Sequence, residues 1–382
     1  VAFHNHLKDH MLSSNSHSTQ SPLRPHWELY PRSYVAQKIS FPLIDHMDGD
    51  LDKDVWSNAP WSDDFDDIRG PKDAPGDERP DASCRTRFKA LWDDEYIYFG
   101  AIIESDFTTE AYFTERNSPI YHLDSDFEVF VDPLGECWNY KEFEMNAINT
   151  VWNLMLDKPY ADHGHEHSGR IAKPGDDDYY EVNNQKSATR IIKGKLNDAN
   201  GGATWSVEIA MSHKDLLSHT LKPSKVPVPG SMWRVNFSRV EKKGKINWTW
   251  QPQIAWDAKQ LRYTGYVDMH RPDAWGYLVF GDETEEITKF ETQKDPTWPT
   301  RLAAMNVYYA QRAHHEAKEK YASNMSELLQ NLNIAVVDPF NVDIKGDDNG
   351  YIAFVTGNGH VVSVNQDRLV KVEDAGFASE KL

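Results

Sequence analysis

The feature that most constrains this chain is a rhythm. From about Tyr34 to Phe280, short alternating runs are separated by turn residues, with no long helical period between them. Alternation of apolar and polar residues is the signature of a strand with one face in a core, because successive side chains point to opposite faces. Runs at 85–92 and 96–104 flank Asp93-Asp94-Glu95, which reads as a hairpin loop. The run 126–132 sets Phe127, Val129 and Val131 on one face and Asp126, Glu128, Phe130 and Asp132 on the other. Further strands are expected at 140–148, 150–157, 187–196, 204–211, 232–241, 246–252 and 275–280. About ten strands at this spacing predict an all-β fold, an antiparallel β-sandwich or barrel of about 240 residues.

The flanks differ. Residues 1–33 mix Ser, His, Asn and Pro without periodicity and read as a flexible leader; the sandwich is expected over 34–281. Residues 282–299 are charged and Pro-containing, as in a linker. In 300–382, Leu302, Met305, Tyr308 and Tyr309 recur at helical spacing, and two strand-like runs flank Gly357-Asn358-Gly359. A helix plus β-hairpin appendage is expected there, with an apolar helix face able to dock on a protein partner.

Charge and composition exclude some functions. The formal net charge is −19, and so acidic a surface repels phosphate backbones, which argues against nucleic acid. Mean hydropathy is −0.69, and no run approaches the roughly 18 apolar residues of a spanning helix. Thirteen Trp, 17 Tyr and 16 Phe favour strands and offer rings that stack on sugars. There is no Gly-x-Ser-x-Gly elbow, P-loop or dinucleotide fingerprint. Three glycosylation sequons begin at Asn236, Asn247 and Asn324.

Several phrases resemble the family 9 carbohydrate-binding modules. They are Ile44-Asp45-His46-Met47-Asp48-Gly49-Asp50-Leu51-Asp52 with Trp56; the 86–104 hairpin; Asp126 to Asp132; Tyr140 with Phe143-Glu144-Met145-Asn146; Thr204 to Ala210; Trp233 to Arg239; and His270-Arg271-Pro272 with Trp275-Gly276. Together they span about 41–280 in order. The resemblance implies a jelly-roll-like β-sandwich, an extracellular location, frequent structural calcium and a sugar held at one edge. Carried over residue by residue, the family's sugar-binding Glu falls on Glu128, its first clamping Trp near Tyr121 or His122, its Arg on Glu144, and its second Trp near Met269. The clamp is therefore not reproduced.

The residues expected to bind carbohydrate are Tyr121, Trp138 and Trp250 for stacking, with Glu128, Glu144 and Asn146 for hydrogen bonds. Closely spaced carboxylates on 124–132 raise one another's pKa unless a cation compensates. That face reads as a ligand groove, a calcium site including Asp126, or a salt-bridged structural face. Asp48, Asp50 and Asp52 form a second carboxylate-rich loop with calcium-like spacing, lacking the closing Glu of an EF-hand. His163, His165 and His167 alternate and suit zinc or copper, or form a solvated loop. A disulfide between Cys84 and Cys137 is a further expectation. The functional expectation is a non-catalytic, secreted polysaccharide- or oligosaccharide-binding protein. Its rivals are an assembly protein that uses the sandwich without ligand, and a polysaccharide-active enzyme working through a carboxylate pair.

Overall fold

The computed structural model describes residues 29–76 and 78–374; most of the expected leader, 1–28, lies outside them. In chain order the strands are β1 (Ser33–Lys38), β2 (Asp66–Asp67), β3 (Thr86–Trp92), β4 (Tyr96–Ile103), β5 (Asp126–Asp132), β6 (Tyr140–Asn146), β7 (Val151–Leu156) and β8 (Glu166–His167). They continue with β9 (Gln185–Gly194), β10 (Ala203–Ser212), β11 (Met232–Glu241), β12 (Ile246–Thr249), β13 (Ile254–Asp257), β14 (Arg262–Gly265) and β15 (Gly276–Phe280).

All but β13 and β14, which form a separate two-stranded ladder, build a β-sandwich. One layer runs β8-β7-β6-β5-β11-β15-β1 and the other β1-β3-β4-β10-β9, with β12 and β2 added beyond β11. Strand β1 serves both layers. Ser33–Ala36 pair in parallel with β15, and Gln37 and Lys38 pair in parallel with β3, whereas the other ladders are antiparallel. Within the stretch expected as leader, Tyr30 is packed on the sandwich, its ring stacked on Tyr277 at 5.3 Å between ring centres.

The alternation of β5 explains the core between the layers. Phe127, Val129 and Val131 turn inward onto Phe88, Phe99, Val207 and Phe237. The opposite face of β5–β7 is not bare. Phe130, Tyr140, Trp152, Leu154 and Leu156 lie under a second, outer cluster made with Ile68, Ile120, Met269 and Trp275 from loops. Every residue of β5, β6 and β7 is consequently buried.

Beyond β15, the segment expected as a linker is packed. A short helix, Thr288–Glu291, buries Phe290 against Val35 and Val279. The long helix Trp298–Lys318 starts with Pro299 in its first turn, where a missing N–H costs nothing, and closes on the left-handed Glu319. The expected hairpin is the centre of a four-stranded meander, β16 (Asn341–Gly346), β17 (Tyr351–Gly357), β18 (His360–Asn365) and β19 (Val370–Asp374). Asn358 and Gly359 both take positive φ, 53° and 80°, which matches the twist of a tight hairpin. Helix and meander share one core with Cys137, Ala255 and Trp256 of the sandwich, so the apolar helix face is covered from within the chain. Among the described residues no helix is long and apolar enough to cross a membrane.

The expected disulfide is absent. Cys84 lies in the core between the layers and Cys137 in the core under the long helix, and both are free. Of the sequons, Asn236 is fully buried and donates to the Gln251 carbonyl, which leaves no room for a glycan.

Candidate functional site

The outer face of β5–β8 forms the floor of a cleft with a volume of about 360 Å3. Register decides what lines it. Glu128 of β5 stands opposite Glu144 of β6, Phe130 opposite Glu142, Glu144 opposite Trp152 of β7, and Leu156 opposite Glu166 of β8. Tyr121, from the turn before β5, and Tyr160, from the turn after β7, stand over this floor, and the loop carrying Asp268, Met269 and His270 closes the far side. Tyr121 stacks on Trp152 at 6.0 Å and 16°, and Tyr160 meets His270 edge-on at 4.6 Å.

The electrostatics are unusual for a sheet face. Burial holds Glu128 up at about 7. Burial first, then neighbouring carboxylates, push Asp126, Glu142 and Glu144 well above the usual carboxylate range. Burial also holds His270 down at about 4, although Nε2 lies 4.0 Å from Glu142 Oε2. His270 is therefore neutral near neutral pH, facing a carboxyl group that burial raises. Glu166 is balanced by Arg170, whose guanidinium also lies 5.2 Å over the Trp152 ring. Aromatic rings, carboxyl groups and an imidazole converging on one concavity suit a polar ligand with apolar faces.

The expected carbohydrate-binding residues divide. Tyr121, Glu128 and Glu144 line the cleft. Asn146 does not: it is fully buried at the β6–β7 turn, donating to Asp124 Oδ2 (2.7 Å) and Phe113 O (2.9 Å) and accepting from Thr150 N (2.9 Å). Trp250 is a core residue whose ring meets Phe88 edge-on at 5.3 Å, so no sugar can stack on it. Trp138 sits at the docked C-terminal unit, with Nε1 donating to the Asp367 carbonyl. Tryptophan content identifies rings but not which face of a strand they occupy.

The expected metal residues also divide. Asp48 is paired with Lys53 (2.7 Å) and Arg190 (3.5 Å), and Asp50 with Arg190 (2.7 Å), so side-chain cations already neutralise this loop. Asp52 carries no metal grouping with them among the described residues. The loop is instead pinned by the buried Glu208, which accepts from the Asp48 and Gly49 N–H groups and from Trp56 Nε1. Gly49 has φ +83°, and a Cβ there would stand 2.8 Å from the Thr189 carbonyl carbon. His163 is left-handed at the end of a 3-10 turn, while His165 and His167 sit near Asp178 at 3.4 and 3.7 Å. The three histidines do not converge, because His163 lies outside the extended segment. Asp126 alone falls in a possible ion-holding group, with Glu128 and Glu144.

Trp152, Tyr160, Glu142, Glu166 and His270 are cleft residues that the sequence did not single out. The available signal was the alternation Glu142, Glu144 on β6, in phase with Glu128.

No curated protein matches the chain. Among solved structures it is similar to a carbohydrate-binding module family 9 from Caldicellulosiruptor kristjanssonii in complex with cellotriose, at 14% identity over 66% of this chain and 96% of that one, with a TM-score of 0.39. The same organism's module in complex with glucose matches at 13% identity over 67% and 98%, with a TM-score of 0.38. A protein of Bacteroides uniformis matches at 15% over 65% and 99%, with a TM-score of 0.44. The model of the carbohydrate family 9 binding domain-like family matches residues 47–261, more than half of the chain, and the chain belongs to that family.

Proposed function

We propose that this chain is a non-catalytic, extracellular carbohydrate-binding protein that takes a segment or end of a polysaccharide into the cleft on β5–β8. The observation that carries the reading is the lining of that cleft, where Tyr121, Tyr160 and Trp152 surround a row of carboxyl groups. Rings take the apolar faces of a sugar, and carboxyl groups exchange hydrogen bonds with its hydroxyls. Family membership supports both the ligand class and a location outside the cell. Single clefts of this kind bind weakly, so presentation on a larger assembly adds affinity through avidity.

Titration calorimetry of the full chain against soluble glucans, xylans and acidic polysaccharides tests the reading. Saturable binding to one class is expected, with Tyr121→Ala losing roughly tenfold or more, as expected when an aromatic stacking surface is removed. Absence of binding across the panel would overturn it in favour of an assembly role for the sandwich.

Polysaccharide cleavage is the second reading, favoured because Glu128 is held at about 7, where a general acid works well. The geometry opposes it. Glu128, Glu144 and Asp126 stand side by side on one face of two adjacent strands, whereas hydrolysis needs two carboxyl groups flanking the scissile bond. Release of reducing sugar from the same panel would establish the enzyme.

A further inference from the structure

Arg234 of β11 stands in register between Asp132 of β5 and Tyr277 of β15. Its neighbour Val235 turns into the core between the layers, so Arg234 turns outward, towards the start of the long helix. It is only 6% exposed. Its guanidinium lies 4.3 Å over the Tyr277 ring and donates to the Pro272 and Asp273 carbonyls at 3.3 and 2.7 Å. None of these partners carries a full negative charge. Asp132, opposite in the ladder, turns its oxygens to the Gly135 and Cys137 N–H groups, both at 2.8 Å.

Gly135, in the turn after β5, admits a second guanidinium to the same place. It has φ +62°, and a Cβ there would stand 3.2 Å from Arg234 Cγ and 3.4 Å from Arg301 Nη1. Arg301, in the first turn of the long helix, donates from Nη1 to the Gly135 carbonyl at 2.6 Å. Its Nε lies 3.5 Å from Asp295. That carboxylate also accepts from the Tyr277 hydroxyl at 2.8 Å and from Thr297 N and Oγ1 at 2.8 and 2.7 Å. Two guanidinia therefore share one carboxylate, in a chain whose net charge is −19.

Both arginines line a cleft of about 360 Å3. That is room enough for a small molecule, whose sites run from about 300 to 1,000 Å3. The cleft shares no lining residue with the one on β5–β8. Gln293, Thr297 and Arg301 lie beyond residue 261, where the family match ends, so the family model does not describe it. A buried guanidinium short of counter-charge is costly, and its planar fork matches a carboxylate.

We propose that this cleft, between β11, β15 and the start of the long helix, binds the carboxylate of a hexuronate on Arg234 and Arg301. That the carboxylate belongs to a sugar rests on the carbohydrate reading; the carboxylate site itself does not.

Calorimetry of the full chain with D-glucuronate, D-glucose and inorganic sulfate tests the site. Saturable glucuronate binding is expected, tighter than glucose and weakened by added salt. Arg301→Gln should weaken glucuronate by about tenfold or more, as removal of a hydrogen bond to a charged group does. Arg301→Lys, which keeps the charge without the fork, should recover part of that loss. Arg79→Gln, an exposed arginine paired with Asp66, should leave it unchanged. Circular dichroism of each variant separates loss of the site from loss of the fold. Glucuronate no tighter than glucose, or parental affinity in Arg301→Gln, overturns the proposal. Glucuronate affinity that falls with Tyr121→Ala instead of Arg301→Gln places the acid in the β5–β8 cleft and overturns the second site. Sulfate that binds through Arg301 where glucuronate does not overturns the sugar acid in favour of a free inorganic anion. Glucuronate binding without any neutral glucan or xylan upholds this site and overturns the reading of the β5–β8 cleft; the reverse overturns this site alone.

Discussion

Lys141 is a charge placed where water does not reach. It is 2% exposed, and its Nζ donates to the carbonyls of Asn139 (2.6 Å) and Ser218 (2.7 Å). Burial pulls its pKa down from 10.5 to about 7. Between those values the unfolded chain binds more protons than the folded one, so this group makes stability rise with pH from about 7 to 10.5. Below about 7 both states are protonated and the fold bears the full cost of a buried ammonium. Lys141→Met removes the titration. Chemical denaturation at pH 7 and pH 10 should therefore show the difference between parent and variant move in the parent's favour by a few kcal/mol, since each tenfold change in proton affinity is worth about 1.4 kcal/mol. An unchanged difference would mean that the amine stays hydrated.

Among elements, the join between sandwich and C-terminal unit combines the shared apolar core with one buried guanidinium. Arg368 is fully buried before β19, with Nε 2.8 Å from Asp162 and Nη1 3.2 Å from Asp273, and its guanidinium lies over Tyr308 and Tyr309 of the long helix. Arg368→Ala leaves Asp273 without its ion partner and Asp162 with Arg312 alone. Urea denaturation should report a loss of about 3–5 kcal/mol, the range for breaking a buried ion pair from one side. The elements themselves were legible where one face differs from the other. The run at 126–132 alternates cleanly, and its strand is observed over the same residues. The apolar run at 150–157 marks β7, but Val151-Trp152-Asn153-Leu154-Met155-Leu156 is apolar on both faces, so nothing in its pattern tells that Trp152 faces a cleft. β1 was not among the expected strands, because its partners, Tyr277–Phe280 and Leu91–Trp92, are distant in sequence and no hairpin turn announces a parallel pairing. The Gly357-Asn358-Gly359 turn was legible for the opposite reason, since its information is local.

For the whole molecule, the family boundary and the physical boundary differ. The family match ends at 261, yet β15 lies between β11 and β1 in the sheet, and Asp268, Met269 and His270 close the cleft. A chain ending at 261 would leave β1 and β11 without the strand that joins them, and one ending at 281 would uncover the apolar surface of Cys137, Ala255 and Trp256. The first is expected to aggregate, as exposed strand edges do, and the second to bind a hydrophobic dye such as anilinonaphthalene sulfonate. A soluble, dye-silent product from the shorter chain would contradict this account of the sheet.

Arg368 also bears on how the cleft can change over evolution. Asp162 belongs to the turn that carries Tyr160, and Asp273 to the turn that follows Met269 and His270, so two loops that line one cleft are tied to a single guanidinium. Binding sites on β-sandwiches commonly diversify by lengthening or shortening their loops. Here an insertion in either turn would pull a buried aspartate out of reach of its arginine, and the penalty would fall on the fold before it fell on the ligand. That leaves substitution in place, at the floor and rim, as the open route to a new saccharide.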